Sequence, residues 1–101
     1  MYDFQNSTDL IHKKCLIIGQ PNDLMRSITL LLVNLNCDVV LGVDQSIQED
    51  IFKGNSIINE LWSMGHKIEI LEIEFDKIVD FSINDPELKR YVNDLNILIQ
   101  V

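Results

Sequence analysis

Short apolar runs alternate with amphipathic stretches along this chain, and their spacing reads as strand and helix in turn. Cys15-Leu16-Ile17-Ile18-Gly19 is a continuous apolar run, the pattern of a strand buried on both faces of a parallel sheet. Gly19 and Pro21 punctuate its end. Asn22 or Asp23 is placed to cap a helix by accepting a hydrogen bond from a free backbone N–H. Leu24, Ile28, Leu31, Leu32 and Leu35 then follow at helical spacing and predict the face that packs on the sheet. Asn36 is a left-handed stop, and residues 37–43 form a second strand. A strand, helix and strand this compact predict a parallel crossover.

Residues 44–56 read as a polar loop, with a helical turn through Ile47, Ile51 and Phe52 that Gly54 breaks. Ser56 is then expected to cap a second helix carrying Ile57, Ile58, Leu61 and Trp62, stopped by Gly65. His66 to Phe75 reads as a third strand. Ile68 and Ile70 share one parity and Leu71, Ile73 and Phe75 the other, which predicts a bulge near Ile70-Leu71 or a strand that ends there. Asp85-Pro86-Glu87 is a strong helix start, with a capping side chain, a proline at the first helical position and an acid near the positive end of the helix dipole. Leu88, Tyr91, Val92 and Leu95 are its apolar face, and 96–101 a fourth strand. The expected fold is α/β: a small three-layer Rossmann-like domain of four mostly parallel strands with three helices over residues 13–101, preceded by a polar N-terminal arm, 1–12.

The 101 residues carry a net charge of −8, concentrated in residues 41–80, where nine acidic side chains face three basic ones. Such a surface repels phosphate backbones, so no nucleic-acid partner is expected. The longest apolar run, Leu30-Leu31-Leu32-Val33, is too short to span a bilayer, and the first residues have no signal-peptide pattern. No membrane role is expected, and the location implied is cytoplasmic. Cys15 and Cys37 read as reduced core thiols, because two cysteines in apolar contexts make no disulfide framework. The chain has no alanine, 15 isoleucines and 9 asparagines, the bias of an AT-rich coding sequence of the kind frequent on mobile elements.

No catalytic constellation is evident. Gly19-Gln20-Pro21-Asn22-Asp23 sits where doubly wound folds bind phosphate, but the G-x-G-x-x-G spacing is absent and Asp23 opposes an anion, so a tight turn is the plainer reading. His12 and His66 have no cysteine or histidine at metal-ligand spacing. Ser27 and Cys15 lack a positioned base. No catalytic, cofactor-binding or metal residue and no cofactor is therefore assigned. Glu69, Glu72, Glu74 and Asp76 form the densest acidic cluster. Their alternation with apolar residues is that of a solvated strand edge, and with Asp44, Glu49 and Asp50 they are the candidate residues for binding a protein partner.

The run Cys15 to Asp23, the helix after it, and Cys37-Asp38-Val39-Val40-Leu41-Gly42-Val43 resemble the N-terminal half of the formyltetrahydrofolate-dependent formyltransferases. Asn59 to Ile68 resembles that family's helix, glycine and short strand. Asn84-Asp85-Pro86-Glu87-Leu88 resembles its next helix start, and Leu95 to Val101 the strand that follows. The resemblance is one of order and spacing over most of residues 14–101. It implies a Rossmann-like fold and a link to one-carbon transfer. The family's catalytic asparagine, histidine and aspartate, with most of its folate-binding loop, lie beyond the equivalent of Val101, so no catalytic residue carries over. The loop that is basic in the transfer-RNA enzyme holds Asp44, Glu49 and Asp50 against Lys53 alone, which argues against that substrate. Receiver domains look similar over residues 14–44, but Gly19 and Gln20 stand where receivers keep an acidic pair.

Two functions follow as expectations. One is a formyltransferase-like N-terminal module, truncated or reused for binding, inactive alone and prone to self-association through its C-terminal strand. The other is a small acidic immunity or inhibitor protein that binds and neutralises a basic toxin or nuclease.

Overall fold

A computed structural model describes residues 10–101, so the larger part of the expected N-terminal arm, residues 1–9, lies outside the described residues. Four strands and three helices alternate: β1 (Lys14–Ile18), α1 (Asp23–Asn34), β2 (Asp38–Asp44), α2 (Gln48–Ser63), β3 (Glu69–Ile73), α3 (Pro86–Tyr91) and β4 (Ile97–Gln100). The strands form one all-parallel sheet in the order β3-β2-β1-β4. This is a small α/β Rossmann-like domain of three layers.

Each face of the sheet builds its own core. Cys15, Ile17, Val39 and Leu41 point to the side covered by α1 and α2, where they meet Met25, Leu32, Ile58 and Leu61. Leu16, Ile18 and Ile73 point to the other side and meet Ile78, Leu88 and Val92, from the β3–β4 connection and α3. Two covered faces explain why β1 is a run of apolar residues with no alternation. Leu10, just before β1, also packs against the first core, and its carbonyl accepts the Lys13 N–H.

α1 starts where expected. The Asn22 side chain accepts the Met25 N–H at 2.9 Å, and Asn36 is left-handed at φ 63°. The face it buries is rotated from the expected one. Met25, Thr29, Leu32 and Val33 face the sheet, while Leu24 and Leu31 are 57% and 60% exposed. The Thr29 hydroxyl is buried without penalty because it donates to the Met25 carbonyl at 2.7 Å.

α2 corrects the expected loop over 44–56. It is continuous from Gln48 to Ser63 and passes through Gly54 without a break. Gly54 lies on the sheet side, where an added Cβ would come 2.5 Å from Cδ1 of Ile70 and 3.1 Å from Cγ1 of Val43. The glycine is there for close approach of helix to sheet. Ser56 is no cap; mid-helix, it donates to the Phe52 carbonyl at 3.2 Å. Trp62, expected in the core, is 52% exposed at the β3 side of α2, and its Nε1–H donates to the Ile68 carbonyl at 3.2 Å.

β3 contains no bulge. Glu69 to Ile73 pair one-for-one with Val40 to Asp44. The parity switch comes from two covered faces: Ile70 packs into the first core and Leu71 into the second. α3 begins as expected. Asp85 caps it, with Oδ1 accepting the Glu87 N–H at 2.8 Å and the Leu88 N–H at 3.3 Å.

Candidate functional site

In open parallel sheets, ligands bind beyond the carboxyl ends of the strands, where strand order reverses. Here that point lies between β1 and β4. Gly19 ends β1 at φ +146°, and a Cβ on it would sit 2.2 Å from the carbonyl oxygen of Val101. The Val101 N–H in turn donates to the Ile18 carbonyl at 3.0 Å. Backbone therefore fills the fork itself.

Beside the fork, a cleft of about 380 Å³ runs between the N-terminus of α1 and the flank of α2. Its two cations are already paired: Arg26 with Glu60, which raises the guanidinium's pKa by hydrogen bonding and charge, and Lys53 with Glu49 at 3.0 Å. Asn22 occupies the Met25 N–H, and Asp23 adds negative charge. Both cations at this cleft therefore already have an acidic partner.

The candidate acidic residues divide. Asp44, Glu74 and Asp76 come together around a cleft of about 310 Å³ at the carboxyl end of β2 and β3, with Gln45, Ser46 and Lys77. Asp44 accepts from the Ser46 N–H and hydroxyl at 3.0 and 2.8 Å. Glu74 is paired with Lys77 and accepts from Gln45 at 3.0 Å. Those contacts, Lys77 first, hold the Glu74 carboxyl below the usual range and raise the Lys77 ammonium. Glu69 and Glu72 are exposed along β3, the outer strand. Along the strand, Glu69 and Glu72 are separated by roughly 10 Å at about 3.3 Å per residue. Glu49 lies on α2, paired with Lys53, and Asp50 is buried in the first turn of that helix.

A grouping that no motif announced lies at the opposite end of the sheet. A groove of about 530 Å³ brings together His12, Lys14, Cys37, Asp38, His66, Lys67, Glu69 and Tyr91. These residues come from four separate segments, so only the fold assembles them. Cys37 is no nucleophile here: its thiol contacts the Leu10 carbonyl at 3.3 Å, and burial, with Asp38, pushes its pKa up. Lys67 is held over the Trp62 ring, 5.7 Å from its centroid. Among the described residues, no three of His, Cys, Asp and Glu are grouped so as to hold a metal ion, and no helix is long and apolar enough to cross a membrane.

The chain matches no family model, and it has no significant match among curated proteins or solved structures.

Proposed function

We propose that this chain is a formyltransferase-like α/β module that belongs to one-carbon transfer and performs no catalysis alone. The observation that carries the reading is the all-parallel order β3-β2-β1-β4. It combines with the sequence likenesses at Cys15–Asp23, Cys37–Val43 and Asn84–Leu88, which stand at the β1 turn, at β2 and at the capped start of α3. The test is the native transcript beyond the Val101 codon, with a formyl-transfer assay of the polypeptide it encodes. An in-frame continuation bearing the asparagine–histidine–aspartate triad, and transfer from formyltetrahydrofolate by the joined product, would carry the reading. A stop codon at that point, with no formyl transfer by the chain or by any protein it binds, would sink it.

A second reading is favoured by a different observation. Glu69 and Glu72, with Asp76 at the carboxyl end, give the β3 side of the molecule exposed carboxylates outside the four ion pairs among the described residues. An immunity or inhibitor protein would use such an edge to engage a basic toxin or nuclease, with fast association that weakens with salt. A pull-down from the native host, eluted by a salt gradient, tests it. Release of one basic protein at moderate salt supports this reading, and loss of that protein with Glu69→Lys and Glu72→Lys places the contact on β3.

A further inference from the structure

Alternate residues of a strand point to the same face of a sheet. Lys14, Asp38 and Glu69, which begin β1, β2 and β3, therefore share a face with Leu16, Val40 and Leu71 of the second core. Their strands are neighbours, with Lys14 in register with Asp38 and Glu69 in register with Val40. At sheet spacings the backbones of Lys14 and Asp38 lie roughly 5 Å apart, and Glu69 lies roughly 8 Å from Asp38. All three residues line the groove of about 530 Å³ at this end of the sheet.

A short helix leaves the groove open. The six residues of α3 span roughly 9 Å at about 1.5 Å per residue, against roughly 23 Å for the seven residues of β2. Val40, Leu71 and Tyr91 stay half-buried at the margin of the second core and give the groove an apolar wall. The charges beside that wall do not neutralise one another. Lys14 and Asp38 are cross-strand neighbours, yet neither they nor Glu69 enter any of the four ion pairs among the described residues. Lys67 also lines the groove, but it is held over the Trp62 ring. One lysine and two carboxylates thus stand beside an apolar wall, in a volume within the range of about 300–1,000 Å³ found for small-molecule sites.

We propose that this groove binds a small zwitterion with an apolar side group, the chemistry shared by free apolar amino acids and short apolar peptides. Lys14 takes the carboxylate, Asp38 and Glu69 take the ammonium, and Val40, Leu71 and Tyr91 take the side group. A simple anion would meet two carboxylates, and a simple amine would leave Lys14 without a partner, so a molecule with both charges is selected over either. The sheet fixes the backbone spacing of all three charged residues, which limits the ordering that binding costs. His12, two residues before Lys14 on the same groove, adds an imidazole N–H, a donor in either protonation state. Neither functional reading above assigns a role to Lys14 or Asp38, so the proposal stands apart from both.

The test is titration of the purified full chain with L-leucine and with leucyl-leucine, followed by amide NMR shifts. Two analogues run beside them: 4-methylpentanoate, which lacks the ammonium, and 3-methylbutylamine, which lacks the carboxylate. The expected result is saturable shifts at residues 38–40, 69–71 and 91–92 with at least one zwitterion, the tighter one telling amino acid from peptide. Its dissociation constant should lie about tenfold or more below that of either analogue. Asp38→Asn and Lys14→Met keep the size of each side chain, and circular dichroism is expected to show both variants folded. Asp38→Asn should close the gap between the zwitterion and 4-methylpentanoate, and Lys14→Met the gap between the zwitterion and 3-methylbutylamine. Absence of saturable groove shifts with either zwitterion at millimolar concentration overturns the proposal. Analogues that bind as tightly as the zwitterion to the wild-type chain overturn it too, as does wild-type selectivity in both variants.

Discussion

Gly19 and Val101 meet backbone to backbone at the carboxyl ends of β1 and β4, and the space a Cβ would need on Gly19 is taken by the Val101 carbonyl oxygen at 2.2 Å. At φ +146° the glycine also has a backbone conformation that other residues rarely adopt. Gly19→Ala meets both penalties, and no side-chain movement relieves a clash with backbone. The expected loss is about 2 kcal/mol or more, from urea unfolding. β4, which gains one backbone hydrogen bond from Val101 to Ile18, is expected to lose amide-exchange protection first. A wild-type unfolding midpoint would contradict the close approach.

Gly54 is a milder case. A methyl there meets first the end of the half-buried Ile70 side chain and then the buried Val43. Alanine in a helix normally gains about 1 kcal/mol over glycine, and overpacking a core costs about 1–3 kcal/mol. A net loss of about 1 kcal/mol is expected for Gly54→Ala. Ile70→Val removes the atom nearest to the clash, so the double variant should recover part of that loss. Strict additivity of the two changes in a double-mutant cycle would argue against the contact.

Asp85 joins two segments by its two oxygens. Oδ2 accepts the Asp80 N–H at 2.9 Å, while Oδ1 caps α3. The Asp80 bond first, then those from Leu88 and Glu87, hold its carboxyl below the ordinary 3.8. A depressed carboxyl contributes stability that is present above its unfolded value and lost as pH falls through the folded one. Asp85→Asn keeps a helix-capping oxygen but presents an amide to the Asp80 N–H. Its thermal midpoint at pH 7 should lie between those of wild type and Asp85→Ala, and its deficit should shrink as pH falls below 3.8. A deficit constant with pH would remove the charge from the explanation.

Cys15 tests the core at the other end of the pH scale. Burial, with a smaller push from Cys37, raises its thiol from 9.0 to about 12. The folded chain keeps a proton that the unfolded chain gives up. The contribution is therefore complete below pH 9 and is lost as pH rises towards 12. Wild-type urea midpoints should fall more steeply above pH 9 than those of Cys15→Ala. In native protein, Cys15 should alkylate only as fast as the chain opens.

The order of strands and helices along the chain was legible because each element depends on local chemistry. Cys15 to Ile18 could only be buried on both faces, and Asn22 and Asp85 carry their caps in their own side chains. The register of α1 was not legible. Leu24 and Leu31 are as apolar as Leu32, and periodicity alone does not say which arc of the helix faces the sheet. The Gly54 misreading has a similar cause. A glycine inside a helical pattern looks like a break until Ile70 and Val43, distant in sequence, are seen to crowd it. The acidic cluster was visible as composition, yet the fold splits it between a carboxyl-end cleft, an exposed strand edge and a buried position on α2.

By itself, the sequence determined the alternation of strand and helix, the α3 cap, the reduced core thiols and the acidic middle, because each rests on residue type and near neighbours. Tertiary structure alone decided that β4 lies beside β1, that β3 with Glu69 and Glu72 and the uncharged β4 are the two outer strands, and that His12, Cys37 and His66 share a groove. Those relations join segments far apart in the chain, and they are set by which surfaces pack, which local pattern does not encode.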